Sequence, residues 1–397
     1  MLRHKAFVLF WTARMSSIIA FQVQAVAVGW QIYNVTGSAF YLGLVGLAQF
    51  LPMFFLTLVV GYVSDRCDRR SVVWLCQLTE GLAALTLAAG SFTGWLNEQG
   101  ILVLTFVLGS ARAFEGPGMQ ALMPGLVPRE LFPPAAAWTA SATQMAAIFG
   151  PALGGLLYAA NGTIAYAAGG LMFLLAGLLV LLIPSPSAPG EREPTTVRSV
   201  FAGIAFIRSH PVILGAISLD LFAVLLGGAT ALLPIYARDI LATGPWGLGL
   251  LRSAPAVGAL AVSLFLIRRP LRRRVGRAMF TAVAVFGLAT TVFAVSISFP
   301  LSLAMLVVLG AADVVSVVIR MSLVQLETPD EMRGRVSAVN SLFIGTSNQL
   351  GEFESGLTAA WFGTVPATLI GGIGTLVVAI LWIRFFPELA RKDAFDR

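Results

Sequence analysis

Histidine and cysteine are almost missing from this 397-residue chain, two of each, and only 11% of its residues are charged. His4 and His210 stand far apart, and no Cys or His cluster has ligand spacing, which excludes the usual tetrahedral metal sites. Cys67 and Cys76 supply no disulfide framework. A phosphate loop of the GxxxxGKS or GxxxxGKT form is absent, so ATP hydrolysis by that route is excluded. GxSxG, HExxH and paired DxxD are absent from the apolar segments, leaving an intramembrane enzyme without a nucleophile or metal cluster. No enzyme activity, metal or cofactor is expected.

What the chain has instead is apolar length. Mean hydropathy is +0.86 and 57% of residues are hydrophobic, more than a water-soluble fold can hide. Twelve segments reach the roughly 20 residues that a bilayer core demands. They run, within a few residues, over 7–33, 38–63, 71–93, 100–122, 134–159, 163–184, 211–237, 246–267, 278–297, 299–322, 336–360 and 366–386. The first is longer than a signal-peptide core and lacks an Ala-x-Ala site, so it is expected to remain as a helix. The expected class is an all-α membrane protein of twelve helices in two pseudo-symmetric six-helix bundles. Residues 1–184 and 211–397 form the bundles, and a cytoplasmic linker over 185–210 carries a short amphipathic helix near 198–209.

Positive charge orients these spans, because Lys and Arg are retained on the cytoplasmic side. With the amino terminus inside, 21 of the 26 basic residues fall in inner segments, four in spans, and only Arg238 outside. Both termini are therefore expected in the cytoplasm, with the chain multi-pass in the membrane. The same asymmetry accounts for a net charge of +7, so nucleic acid is not an expected partner. The six arginines among residues 268–277 belong to this signal, with an anionic-lipid site as the other reading.

The halves align at a constant offset of 201 residues. Val107-Leu108-Gly109 matches Val308-Leu309-Gly310, Pro128-Arg129-Glu130 matches Pro329-Asp330-Glu331, and Gly150 falls opposite Gly351. Parallel repeats of this kind build secondary transporters whose substrate site lies near the midplane and is reached by rocking.

Three motifs carry a resemblance. Gly61-Tyr62-Val63-Ser64-Asp65-Arg66-Cys67-Asp68-Arg69-Arg70 joins the second and third spans. Arg112-Ala113-Phe114-Glu115-Gly116-Pro117-Gly118 lies in the fourth span, and Gly150-Pro151-Ala152-Leu153-Gly154-Gly155 in the fifth. They resemble, in turn, the GxxxDRxGRR gating loop, the RxxxGxG element and the antiporter GPxxGG element of the major facilitator superfamily. Two departures are Asp68, where that family usually has Gly, and Ala146, the first position of the longer antiporter motif. Segments 12–36 and 323–356 extend the likeness to the enterobactin-exporter group. The resemblance implies export by proton antiport, with Gly61, Asp65, Arg66, Arg69 and Arg70 gating and Gly150, Pro151, Gly154 and Gly155 as a hinge. A plain small-residue packing face is the other reading of the hinge.

Ionisable groups inside spans face a partner or a cavity. Arg112 and Glu115, three apart, share a helix face and can either relay protons or form a permanent pair. Asp313 stands at the repeat position of Arg112, and Asp220 lies deep in its span without a partner near in sequence. Glu80 reads as structural, and Arg320 and Arg252 as snorkelling to opposite faces. Ser341, Gly345, Asn348, Glu352 and Ser355 line one face of the eleventh span, with Glu354 on the opposite side. Gln24 and Gln31 share a face of the first span, suited to a ligand or to interhelical bonding. The proton-coupling candidates are Arg112, Glu115, Asp220, Asp313 and Glu352; the cavity candidates are Arg14, Gln24, Gln31 and Asn348. The expected partners are a small amphiphilic molecule, siderophore-like or drug-like, protons and membrane lipids, handled by a monomer. A lipid or lysophospholipid flippase is the alternative.

Overall fold

Local chemistry sets the helix ends. The structure, a computed structural model, describes residues 4–184, 197–271 and 273–395. The first half carries α1 (Lys5–Thr36), α2 (Ala39–Arg66), α3 (Arg69–Thr93), α4 (Glu98–Leu122), α5 (Phe132–Ala160) and α6 (Gly162–Leu181). Glycines in the left-handed region, Gly37 (φ 60°) and Gly94 (φ 79°), close α1 and α3, where a Cβ would be strained. Asn97 and Asn161 accept from the backbone N–H groups of Gly100 and Thr163 and so start α4 and α6.

After the linker come α7 (Val197–Ser209), α8 (Pro211–Leu226) and α9 (Leu233–Ile235), then α10 (Gly244–Arg268), α11 (Val275–Val295) and α12 (Phe299–Glu327). The chain continues through α13 (Asp330–Phe362), α14 (Thr364–Phe385) and the short α15 (Pro387–Arg391). Among the described residues there is no strand.

Among the described residues, ten segments are long and apolar enough to cross a membrane. Two more have the length, α4 at 25 residues and α13 at 33, but dilute their apolar face with Arg112 and Glu115 or with the polar stripe through Glu352. Large apolar side chains lie open on the outside, Phe92 at 80% and Ile297 at 84% exposure among them, as lipid allows.

The chain divides into two compact units. The first comprises residues 1–37, 48–195 and 243–253, and the second 38–47, 196–242 and 254–397. In the first, α3 packs on α4 and α6, and α1 on α5 and α6. In the second, α11 packs on α12 and α14, and α8 on α13 and α14. The repeat offset relates these helices: α4 starts at Glu98 and α12 at Phe299.

Two expectations are refined. The seventh span reads as one apolar run over 211–237, yet α8 stops at Leu226. Gly227 and Gly228 follow, then a tight turn (Ala229–Leu232), α9 and a wide turn (Tyr236–Ile240). A Cβ on Gly228 would lie 2.7 Å from the Gly351 carbonyl of α13, so the break lets two backbones meet. The amphipathic helix is present as α7, but it packs on α8 and α13 through Ile207 in a cluster with Ile213, Ile217 and Val336.

Candidate functional site

In the first unit, polar groups from three helices converge on Glu115, only 3% exposed. Arg112 donates to it at 2.6 Å from one turn back on α4, as their spacing requires. Ser17 of α1 donates its hydroxyl to the same carboxylate, and Gln77 of α3 adds an amide at 3.3 Å. The Arg112 guanidinium also lies 4.3 Å from the ring centre of Phe21, held on two sides. Arg14 is close enough to feel the charges of both Glu115 and Arg112, and its Nε has no hydrogen-bond partner among the described residues.

Glu80, which the sequence reads as structural, belongs to this cluster. It is 1% exposed and interacts electrostatically with Glu115 and Arg112. Among the described residues its Oε2 has no donor, and neither has Oε1 of Gln77, one turn earlier on α3. The signal available was the three-residue spacing of Gln77 and Glu80, which puts both on one face. Two acids and two arginines thus share a region from which water is largely withdrawn, where each charge depends strongly on the others.

Further along α1, Gln24 donates to the Tyr166 carbonyl at 3.3 Å, while its Oε1 and that of Gln31 are buried without partners among the described residues. Both glutamines therefore hold spare acceptors that a donor-rich molecule could use.

The second unit carries its own buried charges. Arg320 pairs with Asp220, so neither behaves as expected alone: the arginine does not snorkel, and the aspartate finds its partner on α12. Asp313 lies near both and lines a small cavity with Asp220 and Ser316. On α13, Asn348 is exposed, Glu352 half-buried and Ser355 buried. Glu352 stands against α2, where a Cβ on Gly46 would lie 2.7 Å from its own Cβ. Glu354 is engaged locally, accepting from Thr358 at 2.7 Å.

At the junction of α2 and α3, Arg69 donates to the Ala121 carbonyl at 3.2 Å and Arg70 to that of Ile183 at 2.8 Å. Both thus neutralise the ends of α4 and α6. Asp68, where the motif has Gly, caps α3 by accepting from the Ser71 backbone at 3.0 Å and its hydroxyl at 2.7 Å. Burial works against the charge of Asp68, but the Ser71 bonds and nearby Arg70 outweigh it and hold the carboxyl below its ordinary value. Arg66 ends α2, exposed, with Gly61 and Asp65 earlier on the same helix.

The glycines of the fifth-span motif sit at close approaches. A Cβ on Gly150 would meet Gln22, one on Gly154 the Val23 Cα at 2.9 Å, and one on Gly155 the Gly249 Cα at 2.9 Å. Pro151 turns its carbonyl toward Gly249.

Comparison with known proteins gives a consistent picture. The family model described as transmembrane secretion effector matches residues 1–396. The enterobactin exporter EntS of Citrobacter koseri is 28% identical over 396 residues, spanning 98% of this chain and 93% of that one. EntS of Escherichia coli O1:K1 matches to the same extent. Among solved structures, a bacterial homolog to the human lysosomal transporter Spinster superposes with a TM-score of 0.75 at 12% identity, covering 97% of this chain and 96% of that one. The D-xylose-proton symporter does so with a TM-score of 0.71 at 14% identity, covering 96% and 98%. At such identities these two speak for the fold alone.

Proposed function

Because the chain belongs to the transmembrane secretion effector family of the major facilitator superfamily, and so is a multi-pass membrane transporter, we propose that it exports a small amphiphilic molecule in exchange for protons. The observation that carries this reading is the buried Glu115, which gathers Arg112, Ser17 and Gln77 from three helices with Arg14 beside it. An acid held between three helices and flanked by cations can gain a proton on one side of the membrane and yield it on the other. Asp313, with Asp220, and Glu352 are the next candidates for that role.

The likeness to enterobactin exporters supports a siderophore-like or drug-like cargo and outward transport from the bacterial inner membrane. The unpartnered acceptors of Gln24 and Gln31 suit a hydroxyl-rich cargo. Alternating access is the expected mode. The distribution of basic residues supports cytoplasmic termini.

The test uses purified protein in liposomes with an internal pH dye, an imposed proton gradient, and a panel of catecholate siderophores and amphiphilic drugs. Cargo-dependent proton movement in the wild type, abolished in Glu115→Gln and compared with Asp313→Asn, supports antiport and names its acid. No proton movement with any cargo, alongside translocation of a fluorescent lysolipid, would replace this reading with a flippase.

A further inference from the structure

Two of the arginines that follow α10 meet basic residues from the far end of the chain. Leu271 packs with Phe386, Leu389 and Ala390 in one apolar cluster, which brings the segment after α14 to the start of α11. Beyond α15 the chain bonds to the first turn of that helix: the N–H groups of Val275 and Gly276 donate to the carbonyls of Asp393 and Lys392 at 3.2 and 2.9 Å. A Cβ on Gly276 would collide with the Leu389 carbonyl, so glycine is what admits this contact. Arg274 has a left-handed φ of 58°, rare for a residue with a side chain, and its N–H donates to the Asp393 carboxylate at 3.2 Å. Lys392 fixes the other side through an ion pair with Glu327 of α12 at 2.7 Å.

A cavity of about 270 Å³ lies between these segments, lined by Arg274, Arg277, Ala390, Arg391, Lys392 and Asp393. Small-molecule pockets begin at roughly 300 Å³, so there is room for a compact group rather than a drug-sized molecule. Charge is unbalanced there. Lys392 is matched by Glu327, whereas Arg274, Arg277 and Arg391 have no ion-pair partner among the described residues. Three guanidinium groups against the single carboxylate of Asp393 leave a surplus of two positive charges. Guanidinium forks match phosphate oxygens in geometry as well as in charge. All three arginines are exposed, so an anion reaches them without crossing the bundle. The cavity stands at the first turn of α11, a helix long and apolar enough to cross the membrane, which is the level of lipid headgroups. Phe385, exposed at the end of α14 just ahead of α15, offers an apolar surface to an acyl chain.

We propose that this cavity binds the phosphate group of an anionic membrane lipid, held by the guanidinium groups of Arg274, Arg277 and Arg391. The arginine run also orients the chain during insertion, but that role needs charge on one side of the membrane and not a cavity built around it. A zwitterionic lipid brings its own cation and gains less from the positive surplus. Phosphate free in solution shares the chemistry but gains nothing from Phe385 or from the end of a span. The site goes beyond proton exchange at Glu115 and does not rest on it.

Thermal unfolding of the full-length protein in detergent micelles provides the test. Phosphatidylglycerol is titrated in at constant ionic strength against phosphatidylcholine, with glycerol phosphate as a third arm. A saturating rise in Tm of about 2–4 °C is expected with phosphatidylglycerol alone. The triple variant Arg274→Gln, Arg277→Gln, Arg391→Gln should lose the response. A charge-matched control, Arg268→Gln, Arg269→Gln, Arg273→Gln, removes as many arginines from positions that do not line the cavity and should keep it. A wild type without a shift specific to phosphatidylglycerol would overturn the proposal, as would a response kept in both variants. A response lost equally in both would overturn it too, since attraction by the whole basic run would then suffice. An equal rise with glycerol phosphate would replace the lipid with a soluble phosphate. Should the triple variant fail to fold, Arg391→Gln decides: the half-saturating lipid fraction should rise about fivefold, the worth of one arginine at a charged surface, and an unchanged value rejects the site.

Discussion

Arg320 on α12 closes its guanidinium on the carboxylate of Asp220 on α8, one hundred residues away, with both side chains nearly sealed, 3% and 6% exposed. Removing one member of such a pair leaves a buried charge without its match. Asp220→Asn should therefore destabilise the second unit by about 3–5 kcal/mol. Combining it with Arg320→Gln should recover much of the loss, since no lone charge is then left behind. Thermal unfolding of the single and double variants in detergent checks this; equal losses in both would show that the pair contributes shape rather than charge balance.

Glu80 leads to a second expectation. Its Oε2 and the Oε1 of Gln77 are buried acceptors, and no donor serves either among the described residues. Glutamine at position 80 brings an amide donor of nearly the same shape to that spot. Glu80→Gln should fold to within about 1 kcal/mol of wild type. Glu80→Lys should fail, because it adds a third cation to Arg14 and Arg112. Membrane expression and Tm separate the two outcomes, and a Glu80→Gln protein as damaged as Glu80→Lys would contradict the reading of the orphan oxygens.

These two cases mark where sequence reasoning stops. Arg112 and Glu115 were legible as a pair because one helical turn joins them, and observed geometry agrees at 2.6 Å. The span pattern was legible for the same reason, since apolar length is a local property. Arg320 with Asp220, and Glu80 with Glu115, depend on how separate helices pack, which leaves no periodic trace. The break after Leu226 was hidden too: apolar residues lie on both sides of Gly227-Gly228, so hydropathy runs through it unbroken. Asp68 shows the reverse, a visible departure from a motif whose meaning, a cap on α3, needed coordinates.

Motif glycines should not behave alike. A Cβ on Gly155 would lie 2.5 Å from the Pro245 carbonyl and 2.9 Å from the Gly249 Cα, backbone atoms with no rotamer to yield. Gly116 has nothing within 4 Å of such a Cβ. Gly155→Ala is thus expected to lose about 1–3 kcal/mol. Gly116→Ala should be neutral or gain up to about 1 kcal/mol from better helix propensity. Tm values of the two proteins, measured side by side, test the contrast; a Gly155→Ala variant as stable as wild type would mean that α5 and α10 are free to move apart.

Asp68 yields a prediction with a sign in pH. Its carboxyl is held below the ordinary value: burial opposes the charge, and the bonds from Ser71 with the charge of Arg70 overcome it. A depressed acid contributes stability that is fully present above its unfolded value and disappears as pH falls through the folded one. Asp68→Ala removes the cap and should cost about 0.5–2 kcal/mol at neutral pH, whereas Asp68→Gly, the residue usual in the motif, should cost only a few tenths. The gap between wild type and Asp68→Ala should then narrow as the solution is acidified below the ordinary carboxylate range. Its partial exposure and the salt around it keep the electrostatic share small, so most of the gap at neutral pH is the hydrogen bond to the Ser71 backbone. Unfolding curves of the three proteins at neutral and acid pH measure both effects, and a gap that widens in acid would show that Asp68 holds α3 by something other than its charged, bonded form.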